Sequence, residues 1–324
     1  MTGAIPAYSL PLKVCRKGYR LLNPPPAIST HRNWMMFSDK AYANGLISKL
    51  LSDPSPCMIA RFGSTEMQCL VNYLGVTGGT RSIKQYITQD APAWWWEKTS
   101  ISQMQTFSGF FSPSASQITK FCELMLQDIP QIDILASWLV DERRFAGELR
   151  NAKRVVLEDS EPFFAPNPWT KSLEGKKVLV VHPFAETIES QYKKRALLFE
   201  NGLLPEFSLK TVKAVQSLAG EKMPYRDWFE ALDHMKAEID GTDYDIAIIG
   251  AGAYGMPLAG HVKRTGKKAV HLGGVVQLLF GIVGRRWEDF LVWPYMNLFN
   301  EHWVRPGAGE RPKNAQIVEG ACYW

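Results

Sequence analysis

Apolar and polar positions alternate along this chain in a rhythm that sharpens toward its C-terminal half. Val178-Leu179-Val180-Val181 is an apolar run bounded by a lysine pair and Pro183, the pattern of a strand covered on both faces. Asp245 to Ile249 and Ala269 to Leu272 repeat it, and Phe207 to Val212 gives a weaker strand. Helical spacing fills the intervals. It predicts helices over Glu186 to Asn201, ending at Gly202, over Met256 to Arg264, and from Val275 to Phe280. Tyr225 to Ile239 is amphipathic, with Trp228, Phe229, Leu232, Met235 and Ile239 on one side. Strand alternating with helix predicts an α/β chain with a Rossmann-like parallel sheet and helices on both faces.

The N-terminal part reads as more helical. Residues up to about Pro26 look like an irregular arm. A Ser38/Asp39 cap then opens a helix to Leu51, which Pro54 and Pro56 stop. Cys57 to Arg61 reads as a short buried strand, Gly63 as a turn, and Glu66 to about Leu74 as a helix capped by Ser64 or Thr65. Asp90 to Gln127 is expected to be helical in two pieces broken around Ser112-Pro113, with strands at Ile132 to Ala136 and Arg154 to Leu157. The expected organisation is an arm over 1–37 and one α/β domain over 38–324. That domain has a helical portion at 38–153, a Rossmann-like portion at 154–290 and an aromatic tail at 291–324.

Composition narrows the function classes. Of 324 residues, 37 are Lys or Arg and 32 Asp or Glu, a net charge of +5, and 46% are hydrophobic. This is a folded-protein composition, with too small and diffuse a basic excess for a nucleic-acid groove. It suits an anionic small ligand or peripheral contact with an acidic membrane face. No apolar run approaches the roughly 20 residues of a membrane helix, and the N-terminus lacks a secretory pattern. Five scattered cysteines without a CxxC pair argue against a disulfide framework or a zinc site and for a cytoplasmic home, with the inner membrane face as an extension.

Three segments carry candidate chemistry. Gly250-Ala251-Gly252-Ala253-Tyr254-Gly255 spells GxGxxG between a strand and a helix, a context in which glycines admit a diphosphate to a helix N-terminus. The same glycines would also serve a tight strand–helix turn. The acidic residue that a dinucleotide's ribose needs is missing, since the next strand ends in His271-Leu272-Gly273-Gly274. His182, Gly250 and His271 each stand at the carboxyl end of a predicted strand and can converge on one crevice, although either histidine is equally well a hydrogen-bonded loop residue. In the N-terminal part, Arg61 ends a strand before Gly63 and Ser64, a natural phosphate partner. Glu66 follows as a helix-capping acid, a metal ligand or a general base.

Arg61-Phe62-Gly63-x-x-Glu66 resembles the RFGDGE-type motif of GT-D-type glycosyltransferases. Glu161-Pro162-Phe163-Phe164 with Asn167-Pro168-Trp169, Val180 to Phe184 with Gln191-Tyr192, and Gly250 to Gly255 with His271 to Gly274 are similar to bacterial polysaccharide-locus proteins of that kind. The short tail pieces Asn300 to Trp303 and Cys322 to Trp324 also look like part of the match, which covers roughly residues 56–75 and 155–290. The resemblance implies transfer of a sugar from a nucleotide-sugar donor to a hydroxyl of a glycan or glycoprotein in surface-polysaccharide assembly. It implies donor contacts from Arg61, Gly63, Ser64, Gly250, Gly252, Tyr254, Gly255, His271 and Gly273, with Glu66 and then His182 as catalytic candidates.

That family holds a divalent cation, typically manganese, through a DxE element. Here the triplet is Ser64-Thr65-Glu66, so Glu66 alone carries over as a ligand for Mn2+ or Mg2+. An acid from elsewhere (Glu158, Asp159 or Glu161), metal-independent binding and a lost activity are the three alternatives. An NAD(P)-dependent oxidoreductase and a non-catalytic nucleotide-sugar-binding protein are the competing functions.

The aromatic residues add weaker expectations. Trp94-Trp95-Trp96 cannot share one helix face, so core packing, an oligomer or membrane contact, or a sugar platform are its alternatives. Trp287, Trp293, Trp303 and Arg305 are expected to wall the crevice, and Arg285-Arg286 offers a second phosphate partner.

Overall fold

Seven parallel strands make one sheet in the order β3-β2-β1-β7-β6-β4-β5. The computed structural model describes residues 6, 8–24, 38–79, 81–217, 221–288, 295–317 and 320–324. The strands are β1 (Cys57–Ala60), β2 (Ile134–Ser137), β3 (Lys153–Val156), β4 (Lys177–His182), β5 (Ser208–Lys213), β6 (Ile246–Ile249) and β7 (Lys268–His271). The predicted α/β class is therefore the observed one. β1 pairs with β7, Ile59 opposite Val270, so the N-terminal strands extend the C-terminal sheet.

Strand composition follows position in the sheet. β1, β2 and β6 are buried at every residue, whereas the edge strands β3 and β5 have one buried residue each, Val155 and Val212. A strand covered on both faces can be wholly apolar; an edge strand cannot. This is why the Phe207 to Val212 pattern is the weaker one.

Two apolar layers sandwich the sheet. On one face Leu135, Leu179, Ala247 and Ala269 meet α3 (Ser64–Thr77), α6 (Ala115–Asp128), α10 (Trp228–Asp240) and α11 (Gly255–Arg264) through Leu70, Phe121, Leu232 and Leu258. On the other, Ile59, Val178, Ile248 and Val270 meet α2 (Lys40–Ser52), α8 (Ala185–Tyr192) and α12 (Val276–Leu279) through Ile47, Ile188 and Val276. Connections toward the β3 edge use the first face and those toward the β5 edge the second, as a constant crossover hand requires.

Three expectations are corrected. The N-terminal arm is not irregular throughout: Ser9–Leu22 forms α1, which packs on α4 (Ile83–Ile87). The helix expected over 186–201 is split into α8 and α9 (Arg195–Leu198). At the break, buried Gln191 donates to the Gly281 and His302 carbonyls, and the Tyr192 hydroxyl bonds the Phe207 backbone. These tertiary bonds outweigh helix continuation. The Trp94 to Trp96 run precedes α5 (Lys98–Phe107) rather than lying in a helix, with Trp95 and Trp96 buried in the core. Among the described residues no helix is long and apolar enough to cross a membrane.

Candidate functional site

At the carboxyl edge of the sheet, four adjacent strands open into a cleft of about 1230 Å³ counting its mouth. β4 leads outward to β5 while β6 leads the other way to β7, so the cleft includes the point where connections diverge, where open α/β sheets bind ligands. Arg61, Gly63, Ser64, Glu66, His182, Gly250, Gly252, Tyr254, His271 and Gly273 all line it. Gly255 lies behind them, its Cα pressed on the His271 ring: an added Cβ would stand 2.1 Å from His271 Cε1. The residues singled out from sequence thus converge, across more than 200 positions of chain.

The glycine-rich turn serves packing more than ligand access. A Cβ on Gly250 would lie 2.7 Å from both the Gly273 carbonyl oxygen and the His182 ring. Gly252, at φ +52°, would meet the Ser108 carbonyl at 3.1 Å. Four of its amides are also committed. Gly250 N–H donates to Val181, Ala253 to Ser108, Tyr254 to Ala251 and Gly255 to Gly252, and Pro257 has none to give. Tyr254 stacks on Trp228 with ring centroids 4.7 Å apart and is buried in the core.

Two further helix starts behave differently. The first turn of α8 is occupied by Glu310, whose carboxylate accepts from the Glu186 and Thr187 amides at 2.9 and 3.2 Å. At α3 the N-cap is Gly63, which has no side chain, and no side chain caps the first turn. Ser64, Thr65 and Glu66 there border the cleft. Glu66 is not a capping-box acid: its carboxylate folds against the Gly63 Cα, where a Cβ would sit 1.7 Å from Oε2, and lines the cleft. No other carboxylate lines it among the described residues.

Arg61 stands beside this open turn. Its Nε is buried without a hydrogen-bond partner, and its guanidinium lies over the Trp138 ring at 4.9 Å. Burial lowers its affinity for the proton, opposed by the Tyr323 and Glu66 charges. Trp138 is itself anchored, its indole N–H donating to the Phe62 carbonyl at 2.8 Å. Buried Glu142 accepts from the Ser137 hydroxyl and from the Trp138 and Leu139 amides, fixing that loop.

Both histidines are neutral and complementary. His182 Nδ1 accepts from the Phe184 amide at 3.0 Å, which places the ring proton on Nε2. Burial pushes its pKa down to about 3. His271 Nδ1 faces the Ile249 carbonyl oxygen at 3.2 Å, so it carries the proton and Nε2 keeps a lone pair. Burial, with Arg61 nearby, pushes His271 down to about 4.

Sequence reasoning missed part of the wall. Phe107, Ser108, Trp138, Ser217 and Gln277 line the cleft, together with Tyr323 and Trp324. Gln277 is fully buried, with its Oε1 unpaired. Of the aromatic and basic residues expected at the crevice, Arg286 lines it and bonds the Tyr323 hydroxyl at 2.9 Å. Arg285 lies on a separate shallow surface with Arg305, which pairs with Glu288, and Trp287 and Trp303 are packed in the second apolar layer. Trp293 falls outside the described residues.

The residues present do not fit a divalent cation. Ser64 is exposed, Glu66 is the sole carboxylate at the cleft, and each histidine has one nitrogen committed. Glu161 is buried with its carboxylate held by the Tyr295 hydroxyl, and burial pushes it up to about 7. Asp159 accepts from Ser38 at 2.8 Å, and neither lines the cleft. Among the described residues no three His, Cys, Asp or Glu side chains converge as a metal site would need.

Comparison with family models, curated proteins and solved structures finds no match to the chain.

Proposed function

We propose that the cleft binds the diphosphate of a nucleotide sugar and that the protein is a glycosyltransferase. The observation that carries the reading is Arg61, a cation with a buried, unpartnered Nε beside the uncapped first turn of α3. A buried donor without a partner costs free energy unless a ligand supplies one. An anion placed there gains charge-assisted hydrogen bonds from the guanidinium and free amides of the helix start. The glycine turn, whose Cα positions are filled by the protein's own atoms and four of whose amides are bonded within it, gives less support to a dinucleotide oxidoreductase.

In the reaction an acceptor hydroxyl forms a bond to the anomeric carbon while the bond from that carbon to the diphosphate oxygen breaks. Negative charge grows on the departing diphosphate, and Arg61 with the α3 amides stabilises it there. Glu66 takes the proton from the acceptor hydroxyl. His182, with its proton on Nε2 and little basicity, donates a hydrogen bond rather than accepting a proton. Positive charge for the leaving group comes from Arg61, in keeping with the poor donor set for Mn2+ or Mg2+.

Thermal denaturation with nucleoside diphosphates, nucleotide sugars and NAD(P)(H), each with and without manganese, tests this reading. A diphosphate nucleotide is expected to raise the melting temperature whether or not manganese is added. Stabilisation by NAD(P)(H) alone would refute the transferase reading. With the donor found, Glu66→Gln should keep donor binding and lose turnover; unchanged turnover would remove Glu66 from the chemistry. Donor binding without turnover in the wild type would leave a non-catalytic binder.

A further inference from the structure

From the surface of α1 we infer that the protein docks on an anionic lipid bilayer through this helix. α1 exposes Leu10 (69%), Val14 (65%), Leu21 (75%) and Leu22 (83%), four of the dozen large apolar side chains exposed among the described residues. At 100° per residue Leu10, Val14 and Leu21 fall within about 40° of one another, so they form one stripe along the helix. Leu12 faces the opposite way and seats the helix on Tyr86 and Trp95.

Charge says what the stripe meets. Residues 1–24 contain Lys13, Arg16, Lys17 and Arg20 and no acid. Without those four the chain has 33 basic and 32 acidic residues, so nearly all of its net charge of +5 sits on this helix. Lys13 is paired with Glu97, and Arg16 lies over the Tyr86 ring at 4.5 Å. Lys17 and Arg20 are exposed beside the stripe, with no ion pair among the described residues. The neighbouring α4 adds exposed Ile83 and Lys84. An apolar stripe edged by basic side chains lies in the headgroup region of an anionic membrane, apolar groups inward and cations on the lipid phosphates. A second copy of this helix would instead bring like charges together.

The geometry leaves the cleft free. The Ala93–Trp95 segment under α1 packs on the second half of α3, where Asn72 donates to the Ala93 and Trp95 carbonyls. The cleft is built on the first turn of α3, and no residue of α1 lines it. Lipid docking is thus independent of the proposed transferase chemistry.

Co-sedimentation of the full chain with phosphatidylcholine vesicles, with and without one-third phosphatidylserine, tests this at about 0.1 M salt. Binding is expected to the anionic vesicles, and only weakly to the neutral ones. Lys17→Gln with Arg20→Gln should lower it about 30-fold, roughly fivefold per charge. Leu10→Ser with Leu21→Ser should lower it by about 100-fold or more. Both variants alter exposed positions, so their melting temperatures should match the wild type. No binding to anionic vesicles, equal binding to neutral ones, or variants that bind like the wild type would each overturn the inference. So would a wild-type dimer in gel filtration that the leucine variant abolishes, since the stripe would then cover a second copy.

Discussion

Arg61→Met separates a residue kept for a ligand from one kept for the fold, because the two roles have opposite signs in stability. Methionine keeps the aliphatic stem and the packing on Trp138 while removing a guanidinium whose Nε is buried and unpartnered. Leaving such a donor unsatisfied costs about 1–3 kcal/mol. The stem's packing is only partly replaced, so the ligand-free variant is expected to gain about 1 kcal/mol. For a chain of this length that is a rise of roughly 1–3 °C in melting temperature. Ligand binding moves the other way. Two charge-assisted bonds to a diphosphate contribute about 1.5–3 kcal/mol each, so the nucleoside diphosphate should bind at least 100-fold more weakly. Chemical denaturation and titration calorimetry on the same two proteins read both quantities. A variant that loses stability without ligand and binds the nucleotide as the wild type does would show that Arg61 serves the fold, and the phosphate reading would fail with it.

Trp138→Phe should weaken nucleotide binding about tenfold by releasing the bond to Phe62 that holds the ring under Arg61, and should cost nothing further in an Arg61→Met background. Equal effects in both backgrounds would dissociate the tryptophan from Arg61. The histidines predict acid sensitivity. Both folded pKa values lie below the unfolded value of about 6.5, so the unfolded chain takes up protons first and stability falls as pH drops from 6.5 toward 3–4. By pH 5 the loss is about 2 kcal/mol per histidine, whereas Glu161, raised to about 7, acts oppositely by losing stability as pH rises. The difference between wild type and a His182→Asn, His271→Asn variant in urea melts at pH 5 and 7.5 isolates the pair, and a pH-independent difference would sink the assignment. Gly255→Ala should cost about 2 kcal/mol or more through its clash with His271, whereas Gly45→Ala, in open space within α2, should gain about 0.5–1 kcal/mol in the same thermal assay.

Strands covered on both faces were legible because their interiors are continuous apolar runs: Val178 to Val181 in β4 and Ile246 to Ile249 in β6 are all buried. The break after Tyr192 was not, since its causes are carbonyls about 90 and 110 positions away and a backbone 15 positions on. Local spacing carries no information about those partners. α1 escaped for another reason. Its Pro11, Gly18 and run of basic residues weaken the apparent helix, and only seating Leu12 on Tyr86 and Trp95 makes the segment worth ordering.

The candidate site shows where such reading stops. A glycine declares that something approaches its Cα, but not whether protein or ligand does so. At Gly250, Gly252 and Gly255 the occupants are a carbonyl and a histidine ring, a second carbonyl, and another histidine ring, all from this chain. The feature that points outward is instead an arginine with unspent donor capacity, next to a helix whose N-cap is a glycine. Arg61 was a phosphate candidate from its place at a strand end, but so were the glycines, and sequence had no means of ranking them. Packing and hydrogen bonds together separate them. α8 gives its first amides to Glu310, and the turn before α11 has its glycines packed on protein atoms and four amides bonded within the chain, while no side chain caps α3 and Arg61 Nε has no partner. An anion entering this cleft would therefore meet free donors on the β1 side of the sheet, with His182 and the glycine turn forming the far wall.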